Sequence, residues 1–221
     1  FTYSGQSFSY DPPNYPQMLI TATDSGNNTT VNYRDDFVKL ASPATQINMS
    51  PVSSDASNLG ADLVTFLNLT WAPAAVSLNA NDNGTLDFSL GADVFTYTRE
   101  SNALVQPFIS DILLPVTSII DSDGISATDL TRSFAPAGTE IRYGRMQLQN
   151  AYGPETLPLT IPVFTEFYNG TAFVLNAIDN CTAYDSLNAQ LGNFQGNLTA
   201  ADTAASGSGV LILGIGNNLI L

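Results

Sequence analysis

An all-β protein, two Ig-like or Greek-key β-sandwich domains in tandem, is what the 221 residues predict. Three observations carry this. Apolar residues alternate with polar ones at a period of two, clusters of Asn, Asp, Gly and Pro break the alternation about every ten residues, and helix signals are few. A chain of this length buries most of its apolar surface, as one large domain or two of sandwich size. The stretch "DSDGISATDLTRSFAPAG", 121 to 138, is poor in large apolar residues and rich in turn formers, which favours two domains, 1–128 and 129–221.

In the first domain, "MLITATDSGNNTTVNYRDDF" reads as a strand, a Gly-Asn-Asn turn and a return strand. "ADLVTFLNLTW" alternates Leu63, Leu67, Leu69 and Trp71 against a mixed face, which puts Trp71 in the core. Asn83-Gly84 in "NANDNGTLDFSL" is a pair that tolerates positive φ and predicts a tight hairpin turn.

In the second domain the apolar parity changes. Ile141 and Tyr143 are odd, Met146 and Leu148 even, and one extra residue in a strand produces such a flip. The expectation is a β-bulge at Gly144 that aims Arg142 and Arg145 onto one side of the sheet, followed by a turn over Asn150, Tyr152 and Gly153. Leu157, Leu159, Ile161 and Val163 then share a face, with Pro158 and Pro162 on the other parity. Two prolines of one parity remove donors along a single edge, which predicts an edge strand. Asn169-Gly170 turns the chain back, and "GVLILGIGNNLIL" is expected to close the second sandwich as its last strand, the other reading being that it adds to a neighbouring subunit's sheet.

Six Lys and Arg against twenty Asp and Glu give a net charge of −14. Nucleic acid and anionic membranes need a basic footprint, so neither is an expected partner. The longest apolar run near the end is far short of the roughly 20 residues of a membrane helix, and "FTYSGQSFSY" has neither the basic start nor the apolar core of a signal peptide. With no histidine, Ser-His-Asp, Cys-His and His-metal chemistry are excluded by composition. Oxygen-rich "NANDNG" and "DSDG" resemble parts of Ca²⁺ loops, but Leu90 stands where an EF-hand needs a bidentate Glu, and plain turns account for both. Neither a metal nor a cofactor is expected, and the chain is not read as an enzyme. Cys181, the single cysteine, is expected to be a buried thiol; the other reading is a disulfide to a segment outside this chain.

Arg142 and Arg145 are two of only six basic residues, with Glu140, Glu155 and Glu166 close in sequence. Arg–carboxylate pairs supply rigid geometry. The two arginines are therefore read as a structural joint beside the Asn150–Glu155 turn, rather than as an anion-binding or reactive site. Gly144, Asn150, Tyr152, Gly153, Asn169, Gly170 and Cys181 belong to the same structural set.

The segment "RYGRMQLQNAYGPETLPLTIPVFTEFYNGTAFVLNAIDNCTAY", 142 to 184, resembles the signature of a bacterial domain family typified by MshQ-like proteins. That signature has a Gly-Arg-Leu-x-Leu strand, Asn-Ala-Tyr-Gly-Ser-Glu, a Leu/Pro-rich strand, a Tyr-Trp-Asn-Gly hairpin and Asp-x-Cys-Thr. Here Pro154 replaces the usual Ser, and Phe167-Tyr168 stands where Tyr-Trp is commoner. "ITATDSGNNTTVNYRDDFVKL" and "DSDGIS" extend the likeness toward the start of the chain. The resemblance implies a large exported protein of Gram-negative bacteria, encoded with the mannose-sensitive haemagglutinin type IV pilus and assigned to its biogenesis or tip. It also implies that the family continues beyond this segment, and it brings no catalytic or binding residues.

The expected function is an extracellular, cell-surface structural and adhesive module, exported through the periplasm, with other pilus or cell-surface proteins and possible surface glycans as partners. A carbohydrate-binding adhesin domain and a filament subunit assembled by β-strand addition are the alternatives. A glycosidase-like enzyme would need two facing carboxylates roughly 5–9.5 Å apart.

Overall fold

The computed structural model describes residues 1–9, 15–50, 52–53, 69–99, 104–110, 112–131, 133–134, 138–154, 157–196 and 199–221. The chain is all-β, and its few helical turns are three or four residues long. It forms two compact units. The first is Phe1–Ala103 with Phe108–Ile141; the second is Leu104–Pro107 with Arg142–Leu221.

The strands running through the first unit are β1 (Thr2–Tyr3), β2 (Ser7–Ser9), β3 (Gln17–Thr21), β4 (Ile47–Met49), β5 (Val52–Ser53), β6 (Leu69–Ala72), β7 (Ser77–Ala80), β8 (Thr85–Ser89), β9 (Val94–Tyr97), β10 (Phe108–Ile109), β11 (Ile112–Ile119), β12 (Ser133–Phe134) and β13 (Glu140–Arg142). Their sheet orders are β1-β13-β10, β12-β11-β4 with β5 also on β11, β2-β9-β6, and β3-β8-β7. Alternation does what it predicts: Leu86, Phe88, Phe95, Tyr97, Ile112, Leu114 and Val116 are all buried. Aromatic contacts lie among these buried residues, with Phe88 6.1 Å from Phe134 and Tyr97 edge-on to Phe108 at 5.2 Å.

Two local expectations change here. The return strand after the Asp24 turn is reduced to a single bridge, Thr23 to Thr29, and β3 pairs with β8 instead. In the β7–β8 hairpin only Gly84 has positive φ, at +81°, and Asn81 N–H bonds Thr85 O at 2.8 Å. The loop is therefore four residues long, not a two-residue turn. Leu63 and Leu67 lie outside the described residues. Trp71 is half-buried on β6 and donates its indole N–H to Asp93 at 2.7 Å.

The second unit holds β14 (Gly144–Leu148), β15 (Thr160–Tyr168), β16 (Phe173–Leu175), β17 (Ala183–Asp185), β18 (Ser208–Val210) and β19 (Ile215–Ile220). Its main sheet runs β14-β15-β16, with β19 also on β15, and β17 pairs β18. The change of unit falls between Ile141 and Arg142 rather than after residue 128. The reason is that β12 and β13, both beyond 128, pair with β11 and β10.

The parity flip also has a different cause from a bulge. The strand is interrupted at Tyr143: β13 pairs β10, and β14 pairs β15. Nor is β15 an edge strand, since it carries β14 on one side and β19 with β16 on the other. The proline argument survives in a narrower form. Gln149 N–H bonds Pro162 O at 2.9 Å, and a proline has no N–H to return. Pairing with β14 accordingly ends at Leu148–Val163.

On its other side, β15 meets an irregular β19. Ile161 faces Leu219 but Val163 faces Gly216, so β19 carries an extra residue. Asn218 N–H in that stretch turns to the Tyr184 hydroxyl, 3.0 Å away. The Tyr184 ring is seated against two glycines: a Cβ on Gly216 would lie 2.4 Å from ring atom Cε1, and one on Gly209 2.7 Å from the hydroxyl. Val163, Tyr184, Leu211 and Leu219 form the core of this unit, with Ile161 packed against them. The final strand therefore closes the second unit within the chain.

Three outcomes follow for this fold. Gly216→Ala should cost about 1–3 kcal/mol in urea unfolding, because the new methyl displaces the Tyr184 ring; an unchanged midpoint would contradict the packing. A fragment restricted to 142–221 should unfold at lower temperature than the whole chain's second unit, since it lacks Leu104–Pro107 and the buried Val105; equal melting would mean that the segment adds nothing. The third concerns pH. The Asp24 carboxyl is held below 3.8 by bonds from Asn28 and then Gly26, and Asp202 by the Thr199 hydroxyl and amide. Their folded pKa values are depressed, so this stabilisation is present above pH 3.8 and lost as pH falls through the folded values. Carboxyl NMR titration should give midpoints below 3.8 for both.

Candidate functional site

The strand is interrupted at Tyr143, between Arg142 and Arg145, so simple alternation does not relate the two side chains. Their partners put them on opposite faces, not on one side as a bulge would have placed them. Arg142 stacks over the Phe167 ring, 4.4 Å from guanidinium carbon to centroid, and donates from Nη1 to Asn176 Oδ1. Arg145 stacks over Phe173 at 3.9 Å, donates from Nε to Glu166 Oε2 at 2.7 Å, and reaches Gln147 Oε1 at 3.2 Å. Phe167 and Glu166 are neighbours on β15, which fixes the two faces. Arg145 pairs with Glu166 directly across the strands rather than with the 150–155 turn; Glu155 lies outside the described residues.

Behind Arg142 sits a buried polar cluster. Asn176 and Asp179 are both 0% exposed. Asn176 N–H bonds Thr165 O at 2.8 Å, and Asp179 N–H bonds Asn176 O at 2.9 Å. The Asp179 carboxylate accepts from the Thr182 hydroxyl at 2.7 Å, Thr182 N–H at 3.0 Å and Cys181 N–H at 3.2 Å. This is an Asx-type turn, built by the Asp-x-Cys-Thr spacing. It takes Asp179 inward and leaves Cys181 outward. The expectation of a buried Cys181 thiol is thus overturned: it is exposed, with Sγ 3.7 Å from Asp179 Oδ1.

The remaining structural positions divide. Asn169 caps the β15–β16 hairpin, its Oδ1 accepting from Thr171 and Ala172 N–H at 2.9 Å. Gly170 has φ of +99°, and a Cβ there would meet Gln106 at 3.1 Å. Gly144 opens β14 opposite Phe167, and Gly153 lies against Leu159. Asn150 is exposed, and Tyr152 is 91% exposed, so Tyr152 packs little against its own unit. Asn176 and Asp179 are the residues that sequence reasoning missed. The signal was there, in an Asp whose spacing to a Thr suits a turn.

Chemically, most polar groups of the arrangement bond within the unit, while the buried Thr165 hydroxyl has no hydrogen-bond partner among the described residues. The Arg145 guanidinium and the carboxylates of Glu166 and Asp179 are engaged by neighbours in their own unit. The oxygen-rich "NANDNG" loop also bonds internally, Asn81 to Thr85 and Asp87, and Asp121 of "DSDG" accepts from Asp123 and Ile125 N–H. Among the described residues no group of three or more His, Cys, Asp or Glu could hold a metal ion.

Arg142→Ala should cost about 1–3 kcal/mol, because it leaves the buried Asn176 oxygen short of a donor. Arg145→Ala should cost under about 1 kcal/mol, since its ion pair is partly exposed. Equal shifts in thermal melting would contradict this ranking. Cys181 in the native protein should be labelled by a thiol reagent without unfolding; complete protection would contradict its exposure.

Two family models match the chain: DUF6701, third domain, over residues 1–143, and DUF6701, fourth domain, over residues 142–214. No curated protein and no solved structure matches it.

Proposed function

Since the chain belongs to the DUF6701 family, as its third domain followed by its fourth, we propose that it is an extracellular structural and adhesive module, without catalytic activity, of a pilus-associated cell-surface protein of a Gram-negative bacterium. The observation that supports this reading is the internal bonding of the signature region. Arg145, Asn169 and Asp179 each bond within the unit and hold a turn or a strand pair, which is what a rigid spacer or display domain needs and leaves little for chemistry. The link to the mannose-sensitive haemagglutinin pilus rests on the MshQ-like resemblance of residues 142–184 alone.

A filament built by strand addition is the second reading, favoured by one observation. β14 stands at the end of its sheet's strand order, with Met146 and Leu148 half-exposed, and such an edge is a template for another strand.

Protease added to intact cells should cleave the epitope-tagged native protein while a periplasmic marker survives. Protection until the outer membrane is permeabilised would place it in the periplasm and end the surface reading. For strand addition, Leu148→Pro should abolish any filament seen by electron microscopy while each protomer still melts cooperatively. Filaments that persist would exclude this edge.

A further inference from the structure

The β14 strand ends its sheet without the devices that usually close an edge. Gln149 N–H bonds Pro162 O, and Tyr168 N–H bonds Tyr143 O, both at 2.9 Å. In an antiparallel pair, residues that bond the neighbouring strand alternate with residues whose backbone points away. The N–H and C=O of Met146 and Leu148 therefore point away from β15, and no strand among the described residues lies on that side. Native edges are blunted by lysine, proline, a bulge or a covering segment. The five residues of β14 include neither lysine nor proline, and their register with β15 runs from Gly144 to Leu148 without a shift.

The strand's only charge is turned away from this edge. Arg145 reaches over β15 to Glu166 and on to Phe173 of β16, which lies on the far side of β15. The opposite face of β14 is apolar. Met146 stands across from Thr165 and Leu148 across from Val163, and these two partners are 3% and 0% exposed. Met146 itself is 46% exposed and Leu148 49%. The layer that begins in the core at Val163 thus runs out to the last strand and stops half-covered, beside open backbone donors and acceptors.

We infer that the β14 edge receives one antiparallel strand from a different polypeptide, a segment in which apolar residues alternate with basic ones. The inference rests on the strand-addition reading of this edge and changes the donor. Backbone groups in a row along an edge are matched in full only by another extended chain, so the occupant is a strand rather than a helix, a sugar or a lipid. Its apolar residues lie against Met146 and Leu148, and its alternate residues lie beside Arg145 and Gln147 on the polar face. Charge chooses those alternate residues. A net charge of −14 repels a second copy and attracts a cationic segment, and the Arg145 guanidinium, paired with Glu166, does not oppose one at the edge.

A short synthetic peptide of alternating Val and Lys, added to the 221-residue chain, tests this by amide hydrogen exchange. The Met146 and Leu148 amides should exchange quickly in the free protein and at least about tenfold more slowly with peptide bound. Directly opposite residues of an antiparallel pair exchange both backbone bonds, so N-methylation of the Val amides should weaken binding at least about tenfold, while N-methylation of the Lys amides should not. A peptide of alternating Val and Glu keeps the strand and reverses its charge, and should bind at least about tenfold more weakly. Leu148→Pro removes a donor that β15 does not use, so it should keep the parent's melting temperature and lose the peptide. The proposal fails if the Val-Lys peptide leaves both amides unprotected, if it protects only other residues, or if the N-methyl-Val or Val-Glu peptide binds equally well. Amides at 146 and 148 already protected in the free monomer would end this proposal and the strand-addition reading together. Filaments of the chain alone that Leu148→Pro abolishes, with no protection by the peptide, would keep strand addition and exclude a basic donor.

Discussion

A carboxylate taken out of water must spend its acceptor capacity on nearby donors, and the second unit is arranged around one that does. Asp179 is fully buried, and its side chain gathers the hydroxyl of Thr182 and the amides of residues 181 and 182. Its own carbonyl holds Gly214, and its amide is held by Asn176, which is the residue that Arg142 reaches. The loop, the hairpin and the first residue of the unit after the break are thereby fixed relative to β15. Removing such a group would leave several donors unmatched at once, a cost that cannot be spread over a flexible surface.

The strand character of the chain was legible because it rests on a pattern repeated many times, as in Leu86, Phe88 and Leu90, each of which is buried. Turn positions were legible for a similar reason: Asn169 and Gly170 have local chemistry that does not wait for the rest of the fold. What could not be read was which strand a given segment pairs with. The parity flip at 141–148 was real, yet the same flip arises from an extra residue within one sheet or from a strand that leaves one partner for another, and the observed break at Tyr143 is the second. Pro158 and Pro162 identified an edge with missing donors but not that β14 would cover the remainder of that edge. The domain boundary moved for the same reason, since pairing between β10 and β13 is invisible in either segment alone. Cys181 was misplaced by treating it as the inward residue, when the aspartate two positions before it takes that direction.

A signature many of whose polar groups bond internally changes where recognition has to occur. The sheet face around Arg145 is closed by Glu166, Gln147 and Phe173, so it presents few unsatisfied groups to a partner. The unit's outward groups include apolar ones: loop tips, the rim of β14, and single aromatic side chains such as Tyr152. Shape and desolvation, rather than charge, are then the terms in which such a surface discriminates, although the acidic remainder still sets which approaches are permitted.

Unit 2 takes Leu104–Pro107 from the middle of the sequence that otherwise builds unit 1, and Val105 within it is almost fully buried. The two family models meet at residues 142–143, but a gene cut there does not separate two independent pieces. A recombination event that moved only the later segment into another protein would leave a buried valine behind in the parent and its place unfilled in the recipient. In this chain the fourth domain's compact unit is completed by a segment that lies within the third domain's stretch of sequence.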